Sequence, residues 1–196
     1  KPGHHEVRVN GKGIPFQVKD KDYPEQHITL KTRKHIDLSA ADLKRHKKEK
    51  KQAGAVFHTF DLSQAPDLAF LKPVAGPYSS PFGLRRFFNE SPRKPHSGLD
   101  IAAPRGTPIK APASGKVVLT GNFFFNGNVV YVDHGQGLIS MFCHLSEISV
   151  AKGDTLGKGQ ILGKVGATGR VTGPHLHWSV SLNNARIDPM LLLPSR

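Results

Sequence analysis

The sequence has few cysteines, few acidic residues and no long apolar run. Cys143 is its only cysteine, which excludes an intramolecular disulfide and a zinc site closed by several thiolates. No stretch approaches the roughly 20 consecutive apolar residues of a membrane-spanning helix, so we predict no transmembrane segment. Only 15 Asp and Glu stand against 28 Lys and Arg, a formal charge of +13. This charge predicts an anionic environment, which could be nucleic acid, a lipid surface or an acidic cell-wall polymer.

Glycine and proline are abundant, with 20 and 15 residues respectively. Together with many short apolar runs, they predict a mainly β protein rather than a helical bundle. A length of 196 residues allows one domain, or one domain and a small companion. The second half of the chain has five predicted strands, at 115–120, 128–133, 138–145, 161–166 and 176–182.

The amino-terminal part has its own predicted elements. Residues 5–18 alternate in polarity around Asn10-Gly11-Lys12-Gly13 and predict a β-hairpin. Further strands are predicted at 27–32 and 53–60, and a basic helix capped by Ser39 is predicted at 39–53. We therefore expect three parts: a small β-rich domain with one helix, a proline-containing linker and a larger β domain. Their predicted limits are 1–60, 61–75 and 76–196.

Two histidines stand two residues apart in Gly173-Pro174-His175-Leu176-His177-Trp178. Side chains alternate along a strand, so His175 and His177 are expected on one face, with Leu176 and Trp178 on the other. His96 and Asp100 lie four apart in a loop that enters a strand. With His177 they make a two-histidine, one-aspartate set, which leaves a catalytic zinc an open position for water.

His144 stands in another predicted strand, directly after Cys143. If His144 faces a cleft, strict alternation puts Cys143 in the opposite layer, which disfavours a Cys–His nucleophile pair. We expect Cys143 to be a buried small apolar residue. His134 falls at a hairpin turn, where it either bonds the turn or supports a site. Phe123-Phe124-Phe125 is expected either to form a groove wall or to pack against the amino-terminal domain.

Four motifs in order resemble the lysostaphin-type (LytM-type) zinc endopeptidases. They are Ser80-x-Phe82-Gly83-x-Arg85, His96-x-x-x-Asp100, Phe142-x-His144-Leu145 and Gly173-Pro174-His175-Leu176-His177. The resemblance covers residues 70–194, and residues 1–60 resemble the small β domain that precedes some of these peptidases. It implies an antiparallel β-sheet or sandwich with an open groove.

The resemblance also implies a site and a substrate. The family's metal ligands fall on His96, Asp100 and His177, which would hold one zinc per chain, and its two other catalytic histidines fall on His144 and His175. The expected activity is hydrolysis of peptide cross-links or bridges in bacterial peptidoglycan, or in its peptide stems. The expected location is periplasmic or secreted, and the amino-terminal domain could contact the groove.

Three other functions fit parts of the sequence. A non-catalytic peptidoglycan-binding or amidase-activating relative would explain the positive charge, but all five site positions are filled. A lipoyl-type carrier resembles residues 153–163, but neither methionine stands beside an acceptor lysine. Nucleic-acid binding is disfavoured because no aromatic residues interleave with the basic run of the helix.

Overall fold

The structure is a computed structural model that describes residues 2–29 and 38–194. Helix α1 spans Ala40–Phe57, and a 3-10 helix spans Pro189–Leu192. No helix in the described ranges is long and apolar enough to cross a membrane. The strands are β1 Gly3–Val9, β2 Lys12–Val18, β3 Glu25–Ile28, β4 Tyr78–Ser80, β5 Arg85–Phe88, β6 Ser91–Pro92, β7 Leu99–Ala102, β8 Pro108–Lys110, β9 Gly115–Phe123, β10 Gly127–Asp133, β11 Leu138–Leu145, β12 Glu147–Ile148, β13 Thr155–Leu156, β14 Ile161–Lys164, β15 His175–Leu182 and β16 Ala185–Ile187.

An antiparallel sheet of eight strands forms the centre of the fold. Its order is β13-β9-β10-β11-β15-β7-β4, with β16 paired to β15. One face, which includes Leu176 and Trp178, packs against the smaller sheet β12-β14-β8 to form the main core. This arrangement confirms the mainly β, antiparallel prediction. It also confirms that Leu176 and Trp178 point away from the face that carries the two histidines beside them.

Helix α1 covers part of the opposite face of the sheet. Its first turn is capped by Ser39, whose Oγ accepts a hydrogen bond from the backbone N–H of Asp42 at 3.1 Å. The helix continues to Phe57, so the strand predicted at 53–60 is wrong. Ala53, Val56 and Phe57 recur at helical spacing, and this apolar stripe packs on the sheet. The buried sheet residues beneath it are Phe123, Val129, Tyr131, Ile139, Met141 and Cys143.

The amino-terminal hairpin forms as predicted. Strands β1 and β2 pair antiparallel across Asn10 and Gly11, which both have positive φ, as a two-residue hairpin turn requires. Strand β3 pairs in parallel with β5; residues 30–32 of the strand predicted there lie outside the described residues. Phe70 and Val74, within the predicted linker, are buried in the main core. The domain limits stay a prediction.

Candidate metal centre

The three predicted metal ligands meet at the junction of β7 and β15. Asp100 is the register partner of His177 across these strands, and His96 lies in the loop before β7. His177 Nδ1 lies 2.8 Å from Asp100 Oδ1, and His96 Nε2 lies 3.0 Å from each of these two atoms. Two imidazole nitrogens and one carboxylate oxygen therefore converge on one point.

The outer hydrogen bonds of the two imidazoles fix which nitrogen carries the proton. His96 Nδ1 lies 2.8 Å from the carbonyl oxygen of Pro81, which can only accept, so Nδ1 donates. Ser179 Oγ donates to the carbonyl of Ser97 at 2.9 Å and therefore accepts from His177 Nε2, also at 2.9 Å. In neutral imidazoles, the nitrogens that face Asp100 are then unprotonated.

The charges around this point favour a cation. Burial raises the pKa of Asp100, but the contacts with His177 and His96 outweigh burial and hold this pKa well below its usual range. Burial lowers the pKa of His177, which keeps that ring neutral. When the outer hydrogen bonds hold both ring protons, three electron-pair donors face one another at 2.8–3.0 Å. The low pKa of Asp100 reflects attraction to positive charge at this point, and a bound cation supplies that charge when the facing nitrogens carry no proton. This donor set fits a divalent metal ion, with N and O ligands of the kind zinc takes in catalytic sites.

Arg86 holds the other oxygen of the Asp100 carboxylate. Its guanidinium lies 3.1 Å from Asp100 Oδ2 and donates to Ser80 Oγ at 2.9 Å. Asp100 therefore presents Oδ1 alone to the two histidines. The neighbouring Arg85, which belongs to the motif noted in the sequence, instead forms an exposed ion pair with Glu25 at 2.6 Å.

His144 reaches the same side of the sheet through a β-bulge. The pairing of β10 with β11 shifts its register beyond Asn128, and His144 has φ of 67°, a strained backbone for a non-glycine residue. Cys143 is the register partner of His177 and so shares its face. The prediction that Cys143 and His144 point to opposite layers is therefore wrong, because it assumed unbroken alternation.

Cys143 is nevertheless inert, as expected. It is fully buried in the cluster under α1, and burial raises the pKa of its thiol to about 12. A thiol with this pKa is not a nucleophile at neutral pH. His134 is also structural: it is fully buried, and its two nitrogens bond the Ser114 carbonyl and Ser140 Oγ, both at 2.8 Å.

His144 and His175 form a pair beside the three ligands. Their ring centroids are 5.0 Å apart, and that of His144 is 6.1 Å from that of His177. Each Nδ1 donates to a carbonyl oxygen at 2.9 Å, that of Thr168 for His144 and that of Gly173 for His175. Each neutral ring therefore has an unprotonated Nε2. Burial lowers the pKa of His144 to about 3, and His177 adds to this shift.

Close packing shapes the loop that carries His96. A Cβ on Gly98 would lie 2.6 Å from both Ser179 Oγ and the Trp178 carbonyl oxygen, so only glycine lets this loop lie against β15. The amino-terminal segment reaches the same rim. The Tyr23 ring lies directly against Gly83, and Tyr23 and His96 line one cavity of about 370 Å³.

The three consecutive phenylalanines pack against α1. Phe123 belongs to the buried cluster, and the backbone N–H of Phe124 donates to the Glu49 carboxylate at 2.9 Å. Phe125 contacts the ring of His46 edge to face at 4.8 Å between centroids. Packing against the amino-terminal part, one of the two expectations for this segment, is therefore observed.

Two supporting residues, Ser179 and Arg86, were not predicted from the sequence. Ser179 continues the alternation His175-x-His177-x-Ser179, so period two alone could have found it. Arg86 carried no such signal, because its neighbour Arg85 occupies the recognised motif. Its role depends on which of two adjacent arginines turns inward at β5, and no periodicity in so short a strand decides that.

Two histidines and an aspartate converge at one point of an antiparallel sheet, and two more histidines lie beside them. This combination defines the class of metallopeptidases. The model of peptidase family M23 matches residues 94–189. A peptidase M23 crystal structure from Pseudomonas aeruginosa is 48% identical, covers 98% of this chain and 74% of that one, and has a TM-score of 0.78. The chain belongs to peptidase family M23.

Other relatives match part of the chain. The crystal structure of a zinc-containing peptidase from Vibrio cholerae is 34% identical over 65% of this chain and 40% of that one, with a TM-score of 0.59. The DD-carboxypeptidase/endopeptidase Mpg of Neisseria meningitidis is 41% identical over 57% of this chain, and the peptidoglycan DD-endopeptidase ShyA of Vibrio cholerae is 42% identical over 57%. The chain spans 26% of the length of each of these two curated relatives.

Proposed function

We propose that this chain is a zinc-dependent endopeptidase that hydrolyses peptide cross-links or bridges of bacterial peptidoglycan. The observation that carries the proposal is the convergence of three unprotonated ligand atoms beside a pair of histidines. The names of the relatives, DD-endopeptidases that act on peptidoglycan among them, support the substrate class. The formal charge of +13 suits an anionic cell wall.

His96 Nε2, Asp100 Oδ1 and His177 Nδ1 would hold one zinc ion per chain. When bound, zinc acts as a Lewis acid and lowers the pKa of a bound water to about 7. The hydrogen bonds to Pro81 and Ser179 orient the two imidazoles for this task. Arg86 leaves Asp100 one free oxygen, which limits the aspartate to a single ligand atom.

His175 is proposed as the general base, because its Nε2 is free to accept a proton while the Gly173 carbonyl holds its Nδ1–H. His144 also presents an unprotonated Nε2, held by the carbonyl of Thr168. It can therefore orient the attacking water first and donate to the leaving amine only after it has received a proton. Each such proton-transfer role is worth about 10²–10⁴ in rate.

The alternative, a non-catalytic peptidoglycan-binding or amidase-activating factor, has less support. Arg86 balances the charge of Asp100 from one side, but Asp100 Oδ1 still faces two unprotonated imidazole nitrogens, an arrangement for which a binding module has no use. No described contact pairs the unprotonated Nε2 of His175. These features are what a hydrolytic site requires.

A peptidoglycan substrate implies a periplasmic or secreted location. The open groove that the resemblance implies would take an extended peptide, and Tyr23, whose ring lies against Gly83 and which lines one cavity with His96, would border it. Nucleic acid is not expected as a partner.

Digestion of purified peptidoglycans tests the proposal. Sacculi with direct D-amino-acid cross-links and sacculi with glycine-containing bridges are incubated with the zinc-loaded protein, and the released fragments are identified by mass. We expect cross-linked dimers to become monomers in one of the two samples, and a chelator to stop the reaction. Intact cross-links in both, with zinc bound, would contradict the endopeptidase and favour the binding factor.

A further inference from the structure

Two arginines, Arg93 and Arg170, lie around one aromatic ring beside the candidate active site. The guanidinium carbon of Arg170 is 5.4 Å from the centre of the Phe88 ring, and that of Arg93 is 5.7 Å from the same point. Arg170 also lies over Phe125, at 4.5 Å from its ring centre. We call Arg93, Arg170 and Phe88 the arginine wall.

The backbone ties the arginine wall to the catalytic histidine pair. The backbone N–H of Arg170 donates to the carbonyl of Phe125 at 2.9 Å. Two residues earlier, the carbonyl oxygen of Thr168 accepts a hydrogen bond from His144 Nδ1, also at 2.9 Å. Two residues span at most about 7 Å, so the start of the Arg170 side chain is close to His144. On the other side, Arg93 N–H donates to the carbonyl of Arg86, the residue that binds Asp100.

No carboxylate balances the wall within residues 2–29 and 38–194. Asp100, the acid bound nearby, is occupied by Arg86 and the two histidines. Neither Arg93 nor Arg170 has an ion pair with a described acidic residue, and their guanidinium contacts are the aromatic rings. Loss of hydration lowers the pKa of Arg170, and the like charges of Arg93 and Arg86 lower it further.

Both arginines remain open to solvent, so a ligand can reach them. Aromatic rings hold the guanidinium planes and leave the N–H groups at their edges available, and a guanidinium presents paired donors that match the two oxygens of a carboxylate. We propose that the arginine wall binds a free carboxylate that the peptide substrate carries next to the bond to be cleaved. This inference rests on the proposed function, because it assigns part of the substrate to this surface.

A pair of peptides tests the inference without relying on turnover. Both are stem-peptide analogues in which a methyleneamine replaces the bond to be cleaved, so that no peptidase can hydrolyse them. The residue after that bond ends in a free carboxylate in one peptide and in a carboxamide in the other. Their dissociation constants are measured by calorimetry with the zinc-loaded protein.

We expect the carboxylate peptide to bind at least about tenfold more tightly than the carboxamide peptide, because a charge-assisted hydrogen-bonded pair usually contributes about this much to affinity. Arg170→Gln and Arg93→Gln should each reduce this ratio to about threefold or less. The carboxamide peptide should bind these variants as it binds the unsubstituted protein. Thermal unfolding confirms that the variants are folded.

Lys152→Gln is the matched control, since it also removes one exposed positive charge. The backbone N–H of Gly153, the residue after Lys152, donates a hydrogen bond to the carbonyl of Val117 in β9. Val117 is about 20 Å along that strand from Phe123, so Lys152 lies far from the arginine wall. The control should keep the full ratio. A ratio near one in the unsubstituted protein, or a ratio that survives both arginine substitutions, would overturn the inference.

The hydrolysable forms of the same peptides separate this inference from the proposed function. Cleavage of both at equal efficiency would refute the carboxylate subsite and leave the endopeptidase standing. Preferential binding of the carboxylate peptide without cleavage of either would refute the endopeptidase and leave the subsite standing.

Discussion

One face of the central sheet has two halves with opposite character. The half at β7 and β15 carries the polar site of His96, Asp100 and His177, while the half at β9 and β10 is apolar and covered by α1. The two halves meet at one pair of register partners on β11 and β15. Cys143 belongs to the apolar cluster, and its partner His177 belongs to the polar site. The two halves share one strand pattern, and they differ in the side chains on the face and in whether α1 packs on them.

Helix α1 covers the apolar half and leaves the catalytic half uncovered by any helix within the described residues. Val56 and Phe57 exclude water from one half, and hydrophobic burial there contributes stability. In the other half, buried polar atoms are paired with each other or with carbonyls. Burying polar atoms costs free energy of folding, and the function of the site explains why they are kept there. Stability and chemistry should therefore respond separately to substitution.

The largest effect is expected in the polar half, at the two histidines of β15. His177→Ala should lose both zinc and activity, because it removes one of three ligands. His175→Ala should keep its zinc while its turnover falls by about 10²–10⁴. Metal content and kcat are measured for both. Full turnover in His175→Ala would refute its assignment as general base.

In the apolar half, Phe57→Ala should destabilise the protein without affecting zinc. Phe57 is 8% exposed and contacts the ring of Tyr131 and the guanidinium of Arg186, so its truncation should cost about 3–5 kcal/mol of unfolding free energy. Leu43→Ala is the control on the same helix; Leu43 is 41% exposed, and its loss should cost less than about 0.5 kcal/mol. Denaturant unfolding and zinc titration are the measurements. A parallel loss of zinc affinity in Phe57→Ala would show that the halves are coupled.

Two adjacent arginines, Arg85 and Arg86, differ in their contact with the polar half. Arg86→Met should weaken zinc binding by about 10–100-fold, the typical effect of losing a group that orients a ligand. Arg85→Met should leave zinc affinity unchanged, because the ion pair of Arg85 is with the exposed Glu25 and not with Asp100. Competition with a zinc chelator compares the two. Equal losses would contradict the idea that the bond from Arg86 to Asp100 orients this ligand.

The smallest effect concerns His134, a buried histidine outside the polar half. Burial lowers its pKa in the folded protein, so the unfolded chain takes up the proton more readily as pH falls below about 6.5. Unfolding free energy should therefore decrease below that pH, by at most about 1.4 kcal/mol per pH unit from this residue. His134→Gln should show a shallower decrease between pH 7 and pH 5. Identical slopes would contradict this assignment.

Much of the polar half could be predicted from the sequence, because side-chain alternation and motif order are local properties. His175 and His177 share a face as expected, and Leu138–Leu145 forms a strand with the predicted limits. The orientation of His144 relative to Cys143 could not be predicted, since His144 is turned to the same side by a bulge that only the pairing of β10 with β11 creates. The end of α1 was missed because Ala53, Val56 and Phe57 also fit a short apolar strand.

Metal binding by the purified protein tests the central claim most directly, namely that His96, Asp100 and His177 present three unprotonated atoms to a cation. The metal-free protein is titrated with zinc against a competing chelator while its thermal unfolding is followed. We predict saturation at about one zinc per chain with a rise in Tm, since a ligand that binds only the folded state stabilises it. A folded protein that binds no zinc, or one that binds it equally well after Asp100→Ala, would contradict the account.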